Sequence, residues 1–404
     1  MTTVWHKLYT MQVALVFFFF SLLFGQLGGI SPAPGVTFYI HDIVLGAVFL
    51  VGIFEVVRRK KVFRPALFLP ITSFIFIATV SLIVNFFRFN QNDMLQSSLY
   101  LLRWGTYAWF YIILVQRRVS PVFVLYGLFG FGTGVSVLGL VQYVLYPELR
   151  NLSYLGWDPH YYRLFSTFLD PNFAGIIIVF TVFLGIYFWR KTRHTSILFV
   201  EVLNIIALYL TYSRSSYLAF VVGTAVLIVF RKKWKAFVLL VFFVLAIVLV
   251  PKPGGNTLLL TRMDSTLARV GNWQDSLGII GQAPIIGHGF NTLRFLYTPD
   301  VQVAPGAPVS RSAAGVDSSV LFLLATTGVI GTIVYGWIMW SMIRLYQVHR
   351  STCELQGILW SVLTSLFVHS LFTNSLFYPW VMIWLWVFVA ACELSVRPQK
   401  KKGA

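Results

Sequence analysis

The side chains of this sequence that could do chemistry are few, and they sit at the edges of apolar runs. Arg163, Arg214 and Arg269 are three such arginines, joined by His288 and by the pair Asp317-Ser318, which stands nine residues ahead of Gly328-Val329-Ile330-Gly331. Arginine presents a planar fork that grips phosphate oxygens in two places, whereas lysine supplies a point charge. A carboxylate or an imidazole beside such a fork can accept a proton. Ser213 and Ser215 flank Arg214, so hydroxyls also accompany the cation. The set suits recognition of an anionic group together with removal of a proton from a nucleophile.

The elements that must hold these residues are set by composition. Of 404 residues, 58% are hydrophobic and 11% charged, with 38 Phe, 13 Trp and 19 Tyr, more apolar surface than folding in water can hide. Windows of about 20 apolar residues mark about twelve spans: roughly 11–30, 37–57, 66–87, 98–116, 121–146, 172–189, 195–212, 215–230, 236–250, 317–343, 355–373 and 378–396. The expected fold is all-α, a polytopic membrane helix bundle forming one integral membrane domain over 1–404. Residues 251–316 form a long outer loop between the ninth and tenth spans. Lys7 ahead of Phe17–Phe20 reads as an uncleaved first helix. Cys353 and Cys392 fall near or inside spans, where neither a disulfide framework nor a zinc site is expected.

A net charge of +18 would suggest nucleic acid for a soluble protein, but its distribution points to a membrane instead. Alternate gaps carry clusters such as Arg58-Arg59-Lys60-Lys61, Arg117-Arg118 and Arg231-Lys232-Lys233. By the positive-inside rule those gaps, and both termini, are cytoplasmic. The opposite gaps hold Arg88, Arg150, Arg163, Arg214, Arg262, Arg269, Arg294 and Arg311 but only Lys252 among lysines, a bias toward anion recognition. Arginines that snorkel to headgroups or pair with Asp158, Asp170, Asp264 and Asp275 account for part of that set.

Several positions carry two readings at this level. Asp170-Pro171-Asn172 is a good helix start, which leaves Arg163 and Ser166-Thr167 unexplained. Arg214 lies in a tight turn between two spans, either as an interfacial arginine with serine caps or as a ligand contact. From Met263 to Gln282, Leu267, Val270, Leu277 and Ile280, with Trp273, recur at helical spacing, so an amphipathic helix on the membrane surface is expected. Pro284 stops it, and His288 between glycines is a loop residue or a base. Ala304 to Gly315 reads as a mobile cover. Asp317 is a helix cap, a base, or both.

Taken together, Arg163 with Ser166-Thr167-Phe168 and Pro171-Asn172, Ser213-Arg214-Ser215, Arg269 with Trp273, Pro284 with Gly287-His288-Gly289, and the motif before Gly328-Val329-Ile330-Gly331 resemble the O-antigen ligase and polymerase superfamily. The resemblance spans roughly residues 160–345, and the twelve-helix layout with a late outer loop is similar. It implies a bacterial glycosyltransferase of the cytoplasmic membrane with its active site on the outer face. Such an enzyme uses a polyprenyl-diphosphate-linked glycan as donor, inverts the anomeric carbon and works without metal or other cofactor. Its partners would be that donor, a glycan, lipid or wall-polymer acceptor, and membrane lipids, with no nucleic acid. The family motif reads His at the position of Asp317, so the spacing is kept and the residue differs.

Attack by an acceptor hydroxyl expels a diphosphate, so charge builds on the leaving group while the nucleophile loses a proton. Arg214 and Arg269 answer the first need and Asp317 the second. Arg163, Ser213, Ser215, His288 and Ser318 are expected to bind substrate around them. A lipid-linked glycan transporter is the rival class. It would carry ionisable or broken-helix residues at mid-depth, where Arg103 and Glu201 are the two side chains noted, and it has no need of the long loop.

Overall fold

The computed structural model describes residues 2–33, 35–59, 64–231, 237–238, 240–241, 243–245, 264–296, 315–348 and 354–397. Most of the ninth expected span, Lys252, Arg262, Arg311, Cys353 and the stretch 304–314 lie outside them.

Apolar runs become helices because a backbone removed from water must satisfy its hydrogen bonds within the segment. In chain order these are α1 (Thr2–Leu22), α2 (Ile40–Arg59), α3 (Phe68–Val84), α4 (Gln91–Arg117), α5 (Pro121–Leu145), α6 (Pro171–Thr192), α7 (Thr195–Leu210) and α8 (Arg214–Arg231). They continue with α9 (Asp264–Gln282), α10 (Ser319–Val348), α11 (Glu354–Ser370) and α12 (Pro379–Val396). Four of them, α5, α6, α10 and α12, are long and apolar enough to cross a membrane, and six shorter apolar helices accompany them. Between α1 and α2, β1 (Gly29–Ala33) and β2 (Val36–Tyr39) pair as an antiparallel hairpin, with Gly29 opposite Tyr39. The reason is local: Thr37-Phe38-Tyr39 favours extended backbone and Gly35 takes φ +76 in the turn.

The middle of the bundle is α6 and α12. Trp380, Trp384 and Trp386 are buried along α12, and Ile176 to Phe180 along α6. Around them the polarity of a water-soluble fold is reversed. Phe17 and Phe20 on α1, Leu50 on α2, Val144 on α5, Phe199 on α7 and Val229 on α8 are all more than half exposed. An apolar belt on so many helices is the surface of a protein solvated by lipid.

Helix starts follow their sequence signals. Asn90 caps α4 through its side chain, Ser120 precedes Pro121 of α5, and the Asp170 carboxylate accepts from Asn172 N at 2.7 Å ahead of α6. The two ionisable side chains noted within spans are not isolated. Arg103 pairs with Asp42 at 2.9 Å, and Asn204 donates to Glu201 at 3.3 Å.

One helix is broken. In α10, Gly328 has φ 65 and ψ −169, a conformation open essentially to glycine alone. The segment Pro284–Gly289 lies against the break and completes its hydrogen bonding: Val329 N donates to Pro284 O at 2.9 Å and Ile330 N to Ile285 O at 3.3 Å, while His288 N donates to Ala325 O at 2.9 Å. Ser81 of α3 ties both strands of this splice, donating to Ile286 O and Thr326 O. Non-helical backbone in such a bundle persists where protein covers it.

Candidate active site

The structure brings Arg214, Arg269 and Asp317 together. Arg214 opens α8, Arg269 lies on the second turn of α9, and Asp317 stands two residues before the first residue of α10. The Arg269 Nε to Asp317 Oδ2 distance is 3.8 Å, a single loose ion pair. Arg214 is close enough for the Arg269 charge to act on it. Asp158, from the segment before α6, acts electrostatically on Asp317 as well as on Asp170, so a further carboxylate borders the group.

Helix α9 delivers Arg269 in an unexpected orientation. Leu267, Val270 and Leu277 are exposed, whereas Ser276 is fully buried and Trp273, Ile279 and Ile280 pack on the core. The inner face thus mixes polar and apolar side chains, while Leu267, Val270 and Leu277 point away from the protein. Trp273 and Ile280 belong to the inner face with Arg269 and Asn272, not to an outward apolar stripe. Asn272 secures this arrangement, accepting from Asp317 N at 3.1 Å and donating to Gly315 O at 3.2 Å.

The cap reading of Asp317 is corrected. Ser318 occupies the cap of α10: its carbonyl accepts from Phe322 N at 2.9 Å and its hydroxyl faces Leu321 N at 3.5 Å. The Asp317 carboxylate is therefore left for Arg269, with 41% of its side-chain surface exposed. Desolvation holds its pKa above the usual carboxylate value, against the lowering by Arg269 and with a further push from Asp158.

Arg163 and the serines hold the turn that presents Arg214. Arg163 is buried, and it donates from Nε to Thr211 O at 3.0 Å and from Nη2 to Tyr212 O at 3.2 Å, capping the last carbonyls of α7. Ser213 donates to Asn172 Oδ1 at 2.7 Å, and Ser216 donates to Asn172 O at 3.1 Å. Ser215 reaches His369 Nε2 at 3.1 Å. Ser166, also in the sequence pattern, is buried and donates to Val135 O.

His288 belongs elsewhere. Its Nδ1 accepts from Arg88 Nη1 at 2.7 Å, and its Nε2 donates to Ile279 O at 2.8 Å, inside the splice at the α10 break. Desolvation lowers its pKa, opposed by the Ile279 carbonyl and assisted by Arg88. The histidine that does meet the site's turn is His369, which sequence reasoning passed over. The signal was available as a titratable side chain within an apolar span.

The profile of the O-antigen ligase family matches residues 199–336. This match supports membership of the O-antigen ligase superfamily. No curated protein matches the chain. The matched segment contains Ser213–Ser216, Arg269, the Pro284–Gly289 loop and the broken start of α10, while Arg163 and His369 flank it. The match supports a membrane protein with a ligase-type, glycosyltransferase-like role. The glycines of this ligase signature have a structural meaning here, since they build the splice that anchors the C-terminal end of α9.

Proposed function

We propose that the chain transfers a glycan from a polyprenyl-diphosphate donor to an acceptor hydroxyl on the outer side of the cytoplasmic membrane, inverting the anomeric carbon without a metal. The observation that carries this reading is the meeting of Arg214, Arg269 and Asp317 from three separate elements. In the reaction, the acceptor oxygen bonds to the anomeric carbon as the bond from that carbon to the diphosphate breaks. The hydroxyl proton passes to Asp317, and the electron pair leaves with the diphosphate held by Arg214 and Arg269.

The loose Arg269–Asp317 pair fits a switch between two partners. An ion pair this exposed contributes at most about 1 kcal/mol, so an entering diphosphate displaces it easily. Once Arg269 turns to phosphate, the Asp317 carboxylate loses its nearest cation and becomes a stronger base. An oxocarbenium-like transition state, in which the proton leaves late, tolerates a carboxylate in this role.

The test uses purified protein, lipid-linked glycan with envelope acceptors from the native host, and excess chelator. Release of polyprenyl diphosphate by wild type, reduced about 10²-fold or more in Arg214→Ala and in Asp317→Asn, is expected. Binding of donor with no release would favour a transporter. Full release by Asp317→Asn would remove that residue from proton transfer.

A further inference from the structure

We infer that His369, on the last turn of α11, is a positioning residue that sets the geometry of the Ser213–Ser216 turn and thereby aims Arg214. This rests on the transferase reading above and adds a residue outside the matched family segment.

Tyr212 has φ 47, a left-handed conformation that an aromatic residue adopts at a cost of about 1–3 kcal/mol. The turn that follows it must be held from outside. Arg163 holds the carbonyls of Thr211 and Tyr212 on one side. On the other side His369, fully buried, places Nε2 at 3.1 Å from Ser215 Oγ and 3.2 Å from Ser216 Oγ, and Nδ1 at 2.6 Å from Ser375 Oγ.

One assignment of the protons in this network keeps the bond from Ser375 to Thr373 O. Ser375 donates to Thr373 O, so its oxygen accepts from His369 Nδ1–H. Nε2 is then an acceptor, and Ser215 supplies its proton. Ser213 and Ser216 are free to donate to the side chain and the carbonyl of Asn172. A neutral imidazole therefore orients the hydroxyls of Ser215 and Ser216, which directly follow Arg214. Helix α11 carries this imidazole to α8 at close range: Ser365 donates to Ala219 O at 2.7 Å, and a Cβ on Gly223 would collide with the Ser365 hydroxyl. The Arg269 charge also reaches His369, which places the imidazole at the rear of the same site.

The test compares full-length wild type with His369→Ala, His369→Gln and His369→Asn. The Gln amide extends to the position of Nε2 and can accept from Ser215, while the shorter Asn amide reaches toward Ser375 only. Two readouts are taken: steady-state release of polyprenyl diphosphate, and equilibrium binding of polyprenyl diphosphate without acceptor. We expect kcat/KM to fall about 10- to 100-fold in His369→Ala and His369→Asn and to return within about threefold of wild type in His369→Gln, with binding following the same order. Wild-type kinetics in His369→Ala, or equal behaviour of the Asn and Gln variants at equal thermal stability, would overturn the assignment. If wild type binds the diphosphate but does not transfer, the transferase reading fails and the binding order alone decides the role of His369. If wild type does neither, both fall.

Discussion

Replacing Gly328 by alanine tests whether the break in α10 is what anchors the Arg269 helix. At φ 65 and ψ −169 a side chain is strained by about 1–3 kcal/mol whatever surrounds it. Here a Cβ would also fall within the contact distance of Ile285 O and Ile285 C, both backbone atoms. The loop must retreat by roughly 1 Å to relieve that overlap. Such a movement breaks the bonds from Val329 N to Pro284 O and from Ile330 N to Ile285 O, now 2.9 and 3.3 Å. Each lost bond costs about 1 kcal/mol net, and more where the freed groups stay buried. The sum is about 3–5 kcal/mol before any cost of freed groups that stay buried, a large part of the stability of many folds. Because Gly287 N bonds to Ala283 O directly after α9, a retreat of the loop also releases Arg269 from Asp317. Denaturation in detergent, followed with release of polyprenyl diphosphate, should show both losses. A Gly328→Ala protein within about 1 kcal/mol of wild type, with its activity intact, would refute the anchoring argument.

Other perturbations have definite signs. Asp317 must be ionised to accept a proton and its pKa lies above the usual value, so Arg269→Gln, which removes the opposing cation, should move the acid limb of kcat/KM to higher pH; a limb that stays or moves down contradicts the assignment. Burial pushes the Asp170 carboxyl from 3.8 up to about 6, so the native state loses stability as pH rises between those values and none further above them. Asp170→Asn keeps a capping oxygen, and at about pH 7.5 it should gain up to about 3 kcal/mol, a gain that vanishes near pH 4 in detergent unfolding experiments. For His288→Ala, the loss of the Arg88 and Ile279 contacts should lower stability by about 1–3 kcal/mol, with the donor KM of the folded protein unchanged in steady-state assays.

Much of the fold was legible because it depends on local pattern. Apolar windows located the helices, and Asp170-Pro171 and Ser120-Pro121 marked starts that the structure uses. Phe38 and Tyr39 beside Gly35 form a hairpin that a reading for turns alone overlooks. The order Ser213-Arg214-Ser215, Arg269, Gly328-Val329-Ile330-Gly331 was enough to indicate the family. The inward and outward faces of α9 were not legible, because a period of 3.6 fixes two faces without saying which one meets protein. In a lipid-solvated protein the apolar face is free to point away.

What the sequence by itself determined is solvent and residue type: a chain for membrane, carrying arginines and a carboxylate at the edges of its apolar runs. Only the tertiary structure decided which of these meet. It set Arg269 against Asp317, gave the α10 cap to Ser318, placed His288 in a backbone splice and brought His369 against Ser215. The physical reason is that residue type and spacing act over a few turns of chain, whereas a site joins distant segments. Their meeting depends on which helices pack together and on where a glycine lets one of them break.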